Sequence, residues 1–143
     1  MNFIDLCSAF YNDELEKALN DKNKKAADEA YNKFLEDLKF NREEVQKAPY
    51  VDEDSENLLH SYINWYESLR EKEDYFHDTI IVNMEKLEEN DYLKSIMDGL
   101  DERTNSENRL RKSFLEEFDR YIQDYKNQLS KDTIEIYYKW RRL

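Results

Sequence analysis

The amino-acid sequence predicts an all-α protein, an elongated antiparallel bundle of three long helices. The 143 residues include one glycine and one proline, a supply that allows few turns. Apolar residues recur at steps of three, four and seven along most of the chain, which is the spacing of one helical face. Aromatic residues form 14% of the chain, which favours a packed core over disorder. The length suits one domain spanning residues 1–143.

The first helical segment covers residues 3–47 and carries two apolar stripes separated by a polar run at 20–25. That run is either a turn, with Asn20 or Asp21 capping a second helix, or a solvated part of one long helix. Because the run contains neither glycine nor proline, a continuous or kinked helix is favoured. A break near Asn20-Lys24 would give four helices instead of three. The two stripes consist of Ile4, Cys7, Tyr11, Leu15 and Ala18, then Ala27, Ala30, Tyr31, Phe34, Leu35, Leu38 and Val45.

The middle segment, residues 53–89, is predicted to supply the centre of the core and most of the acidic surface. Pro49 separates it from the first segment, because proline bars helix at the preceding residue. Asp52, Asp54 or Ser55 can cap its first turn. The buried stripe is predicted to contain Leu58, Tyr62, Trp65, Leu69, Phe76, Ile80, Met84 and Leu87. The opposite face carries Glu67, Glu71, Asp74, Asp78, Glu85 and Glu88.

The last segment is predicted to be one helix over residues 105–141. Asn90-Asp91 interrupts the preceding helix, and Asp98-Gly99 marks a second turn. Thr104 and Glu107 have the spacing of a capping box. A heptad of apolar residues predicts supercoiled packing against neighbouring helices. Its positions are Leu115, Ile122, Leu129, Ile136 and Leu143.

The net charge of −12 is concentrated in the middle of the sequence. Residues 1–50 carry −3, residues 51–100 carry −10, and residues 101–143 carry +1. Direct binding to nucleic-acid phosphates is disfavoured, because such binding needs clustered Lys and Arg. A protein with a basic surface is the easier partner. Alternatively, the acidic charge only keeps the protein soluble.

Cysteine use and hydropathy predict a cytoplasmic protein. Cys7 is the single cysteine, so no internal disulfide forms, as is usual in a reducing compartment. Its apolar neighbours predict a buried thiol in preference to a reactive one. No run approaches the roughly 18–20 apolar residues of a membrane span.

No residue pattern predicts catalysis, a metal or another cofactor. His60 and His77 lie 17 residues apart, about 25 Å along a helix, so they cannot share an ion. Asp74-x-x-His77 occurs once, whereas a di-metal bundle needs the motif on two helices. Nucleophile motifs and glycine-rich phosphate loops are absent from the sequence.

The sequence therefore predicts a non-catalytic protein-binding or inhibitory protein, of the immunity or anti-defence type. Its acidic middle helix would face a basic partner, with tyrosines as anchors if they are exposed. Tyr66, Tyr75 and Tyr138 are the candidates for exposure, although a wide core could bury them. The predicted partner-binding residues are Tyr66, Glu67, Glu71, Asp74, Tyr75, Asp78 and Glu85. The alternative is a self-associating structural or scaffold protein that forms a coiled-coil-like homodimer.

Overall fold

The structure, a computed structural model, describes residues 3–47, 52–84, 90–128, 130–132 and 135. Every regular element within these ranges is helical, so the all-α prediction is confirmed. The helices are α1 (Phe3–Asn20), α2 (Lys24–Gln46), α3 (Glu53–Phe76) and α4 (Asn90–Tyr125). A π-helical segment, His77–Ile81, continues α3.

The first segment is two helices, so the continuous helix favoured by the sequence is wrong and the alternative with a break is correct. Lys22 reverses the chain with a left-handed φ of 50°, a conformation usually taken by glycine. The Asn23 backbone N–H donates to the carbonyl of Ala18 at 2.8 Å and closes α1. The Asn23 side chain then accepts from the Ala26 N–H at 3.0 Å and opens α2.

The start of α3 is a capping box built on Asp52, one of the three predicted caps. The Asp52 carboxylate accepts from the Ser55 N–H at 2.7 Å, and Ser55 Oγ accepts from the Asp52 N–H at 3.2 Å. The predicted stripe is buried at Tyr62, Trp65 and Leu69. Leu87, Glu85 and Glu88 lie outside the described residues.

The predicted turn at Asp98-Gly99 is wrong, because α4 runs through it without interruption. The proposed cap at Thr104 is therefore wrong too. Gly99 provides space rather than a turn: a Cβ at this position would lie 2.9 Å from Cζ of Tyr75. The helix passes Tyr75 closely because residue 99 has no side chain.

The helix α4 ends at Tyr125, earlier than predicted, where Gln128 donates to the Tyr125 carbonyl in a turn. Of the heptad, Ile122 is buried and Leu115 is partly buried within the bundle itself. Its positions Leu129, Ile136 and Leu143 lie outside the described residues.

The four helices pack as two antiparallel hairpins. The α1–α2 hairpin and the α3–α4 hairpin each have extensive internal contact, and α2 joins them by packing on α3 and the π-helical segment. One apolar core runs through both, with Trp65, Phe34, Leu38 and Ile81 as its largest fully buried side chains. Such burial is the main source of stability in a bundle. Cys7 is in this core, as predicted.

Polar side chains also bridge the boundary between the hairpins, which we call the seam. Arg111 forms a two-pronged ion pair with Asp5, at 3.0 and 2.5 Å. Further pairs join α2 to α3 and to the π-helical segment. They are Tyr62 with Asn41, Arg42 with Glu67, Tyr31 with Asp74, and His77 with Asp28.

The outer side of the α1–α2 hairpin leaves three large apolar side chains exposed: Leu6, Phe10 and Phe40. None of the described helices has a stretch apolar and long enough to cross a membrane.

Replacing Lys22 by glycine is expected to stabilise the protein by about 1 kcal/mol, because glycine adopts the left-handed conformation without steric cost. Chemical denaturation followed by circular dichroism measures this change in the free energy of unfolding. Lys39→Gly, at an exposed position inside α2, is the matched control and should cost about 1 kcal/mol. Equal losses in both variants would contradict the role given to Lys22.

Candidate functional site

A cleft of about 760 Å³ lies along α3, with walls from α2 and α4. It is open to solvent and holds charges of both signs. Six charged side chains from the three helices line it: Arg42, Arg70, Arg103, Glu67, Glu71 and Asp74. We call this feature the charged cleft.

Each carboxylate of the charged cleft faces one arginine. Arg42 Nη1 donates to Glu67 Oε1 at 2.6 Å, whereas Arg103 Nε is 3.8 Å from Glu71 Oε1. The charged cleft is therefore balanced in charge, not the uniformly acidic face that the sequence predicts. The Glu71 pair is long and its carboxylate side chain is 70% exposed, so Glu71 remains available to an external cation.

The two tyrosines of the charged cleft differ from the expected exposed anchors. Tyr66 is only 2% exposed, so its prediction as an exposed anchor is wrong. The Arg42 guanidinium covers its ring at 5.1 Å from the centroid. Tyr75 is partly buried, with the Arg103 guanidinium 3.9 Å above its ring. Tyr138 lies outside the described residues.

The remaining predicted residues occupy the end of α3 and the π-helical segment. Asp74 accepts a hydrogen bond from the Tyr31 hydroxyl and is partly buried. Asp78 is 74% exposed, and its Oδ1 lies 3.1 Å from Nδ1 of His77. Glu85 lies outside the described residues. The structure thus brings Glu67, Glu71, Asp74 and Tyr75 together and places Asp78 just beyond them.

A second polar group, inside the bundle, was not predicted. Glu73 and Glu107 are 8% and 6% exposed, on α3 and α4. The Lys72 ammonium lies between them, 3.3 Å from Glu73 Oε1 and 3.7 Å from Glu107 Oε2. Trp65 Nε1–H donates to Glu107 Oε1 at 2.6 Å. We call the two carboxylates Glu73 and Glu107, together with the Lys72 ammonium between them, the buried carboxylate couple.

Tyr11 of α1, which belongs to the other hairpin, packs against the buried carboxylate couple. Its hydroxyl is buried beside Glu73. Burial raises the pKa of Glu73, a tendency that Lys72 and the Tyr11 hydroxyl oppose and the neighbouring Glu107 charge reinforces. Burial and the adjacent Glu73 also raise the pKa of Tyr11, so its hydroxyl stays protonated.

The sequence contained a signal for the couple. Glu73 lies four residues after Leu69 and three before Phe76, at the position that completes the apolar stripe of α3. A charged residue at a core position calls for a buried partner. Glu107 was misread because the false turn at Gly99 placed it in a cap.

No protein-family model, curated protein or solved structure shows a significant match to this chain. Among the described residues, no three His, Cys, Asp or Glu side chains are grouped so that they could hold a metal ion. The charged cleft presents arginine and carboxylate groups, and the buried carboxylate couple places two carboxylates beside one ammonium.

Adding a methyl group at Gly99 tests the close contact that fixes Tyr75 in the charged cleft. Alanine normally stabilises a helix by about 1 kcal/mol relative to glycine. We expect Gly99→Ala to lower the free energy of unfolding instead, because the Cβ displaces the Tyr75 ring. In a Tyr75→Ala background, the same change should recover the stabilisation. Thermal or chemical denaturation of the four proteins gives the coupling energy, and additive effects would contradict the contact.

Proposed function

We propose that this chain is a non-catalytic binding protein, of the inhibitory or immunity type, whose charged cleft engages a partner with a basic surface. The observation that supports the proposal is the gathering of Glu67, Glu71 and Asp74, from one face of α3, in an open cleft. Sites for macromolecular partners commonly combine charge with partly buried aromatic rings, as Tyr75 does here.

The exposed carboxylates are the groups that a basic partner would meet first. Among the predicted residues that the structure describes, Glu71 and Asp78 are the most exposed. Glu71 lies 3.8 Å from Arg103 Nε, and Asp78 lies 3.1 Å from Nδ1 of His77. A net charge of −12 adds long-range attraction for a cationic protein. The partner's Lys or Arg side chains would compete with Arg103 for Glu71.

The arginines of the charged cleft set a condition on the partner. A purely basic surface would be repelled by Arg42, Arg70 and Arg103, unless these keep their own carboxylates. Arg42 has the shortest pair, 2.6 Å to Glu67, and stacks on Tyr66, so this wall is the most firmly held. We therefore assign cation contact mainly to Glu71 and Asp78, with Arg42 and Glu67 as a fixed boundary.

Charge reversal tests the proposal. The variant Glu71→Lys and Asp78→Lys is compared with Asp13→Lys and Glu36→Lys, which changes the net charge equally at exposed positions on α1 and α2. Each protein is immobilised, and a lysate of the source cell is passed over it at low and then high salt. A basic protein retained by the natural chain and the control, and lost from the first variant, is the expected result.

The association rate with that captured protein gives the quantitative test. Reversal at the charged cleft should slow association by roughly tenfold at low salt and flatten its salt dependence. Equal slowing in the control would show that net charge alone acts, and unchanged kinetics in the first variant would reject the charged cleft. Circular dichroism confirms that each variant is folded.

Self-association is a second candidate function, supported by a different surface. Leu6 and Phe10 share one face of α1, while Phe40 lies on α2, on the side where Lys33 pairs with Glu14 at 3.7 Å. Exposed apolar side chains clustered on one edge favour contact with a second copy. The buried heptad residue Ile122 is already used within the bundle.

Sedimentation velocity over a concentration series tests self-association. A dimer should strengthen with salt, because salt screens the repulsion between two chains of charge −12. Phe10→Ser with Phe40→Ser should abolish it. Val82→Ser, at an exposed apolar position elsewhere, should leave it intact. A constant monomer mass at all concentrations would reject this function.

A further inference from the structure

The buried carboxylate couple lies where three helices meet. Glu73 and Lys72 are on α3, Glu107 is on α4, and Tyr11 reaches Glu73 from α1. With both carboxylates ionised, two negative charges share one ammonium in a region from which water is largely excluded. A buried carboxylate without full compensation is costly, and binding one proton removes the excess charge.

The two carboxyl groups are not equivalent. Glu107 accepts a 2.6 Å hydrogen bond from Trp65 Nε1–H, and the Lys72 ammonium lies 3.7 Å from its other carboxylate oxygen. Glu73 lies 3.3 Å from the Lys72 ammonium and meets the buried Tyr11 hydroxyl across the seam. When protonated, Glu73 can offer an O–H to the hydroxyl oxygen of Tyr11. Because Trp65 already donates to Glu107, the geometry assigns the bound proton to Glu73.

We propose that a proton bound at Glu73 controls how tightly the α1–α2 hairpin docks on the α3–α4 hairpin. Proton loss leaves a second buried carboxylate facing Glu107 and Tyr11, and the structure relieves this cost by loosening the α1 contact and admitting water. The groups that face Glu73 are Tyr11 from α1, Glu107 from α4 and Lys72 from α3 itself. The α2 side chain Tyr31 acts on this site only through Tyr11.

Docking also positions one wall of the charged cleft. Arg42 belongs to α2, whereas Glu67 and Tyr66 belong to α3. A looser seam would move the Arg42 guanidinium relative to both, so the proton state of the couple is linked to the shape of the cleft. Control of hairpin docking by the Glu73 proton does not depend on what the charged cleft binds.

The direction in which stability changes with pH depends on whether the folded or the unfolded chain binds the Glu73 proton more tightly. The pKa of Glu73 is raised above its ordinary value of 4.5, so the folded protein holds this proton more tightly than the unfolded chain does. The stabilisation from Glu73 is complete below about pH 4.5 and is lost as pH rises through the raised pKa.

Nuclear magnetic resonance tests the site directly on the natural chain. The side-chain carboxyl carbon of Glu73 should titrate at a higher pH than those of exposed glutamates such as Glu71. Glu107→Gln should shift the Glu73 titration to lower pH, because it removes the neighbouring negative charge and leaves Lys72 with one carboxylate. A Glu73 midpoint equal to that of Glu71 would overturn the assignment of the proton.

Hydrogen exchange tests the effect on docking. Amide exchange in α1 is compared between the natural chain and Glu73→Gln at each pH, so that the intrinsic pH dependence of exchange cancels. We expect the exchange rate of the natural chain, divided by that of Glu73→Gln, to be near one below pH 4.5. This ratio should rise severalfold at higher pH, because the glutamate ionises there and glutamine cannot. Asp13→Asn, an exposed change on α1, should leave a ratio near one throughout. A flat ratio for Glu73→Gln would overturn the proposed control of docking.

Discussion

Several of the buried polar contacts in this fold depend on burial of the Trp65 indole. A tryptophan that is 1% exposed removes enough apolar surface to contribute about 4–6 kcal/mol, but its N–H then needs an acceptor inside the protein. Glu107 provides that acceptor, and its charge in turn needs Lys72. The same ammonium reaches Glu73, which meets Tyr11. One buried N–H thus accounts for a polar chain that links α4, α3 and α1.

Apolar contacts predominate within each hairpin, whereas polar pairs bridge the boundary between the hairpins. This distribution explains why the bundle divides into two hairpins. Within each hairpin, long helices pack over much of their length, and α3 with α4 share stacked rings such as Trp65 and Phe114. Across the seam, specific pairs such as Asp5 with Arg111 accompany a smaller packed area. Polar pairs add less net stability than apolar burial does, but they fix the register in which the hairpins meet.

Helical periodicity was enough to predict the helical class, the start of α3 and much of its buried stripe. It failed where a residue's role depends on a neighbour distant in sequence. Gly99 is interpreted as a turn until Tyr75 is seen beside it, and Lys22 gives no local sign of its left-handed backbone. At the site, Glu67, Glu71 and Asp74 of α3 line one cleft, but Arg42 and Arg103, which also line it, come from other helices. Only the fold shows that these arginines neutralise the face, and that Arg42 covers Tyr66.

The seam also gives the molecule a mechanical character. Ion pairs and hydrogen bonds act over a few tenths of a nanometre, whereas helices packed side by side keep contact while they slide. Under a load that separates the hairpins, pairs such as Asp5 with Arg111 would break together after a small displacement. The fold is therefore brittle across the seam and compliant within each hairpin, so tension would divide it into two helical pairs before either pair unravels.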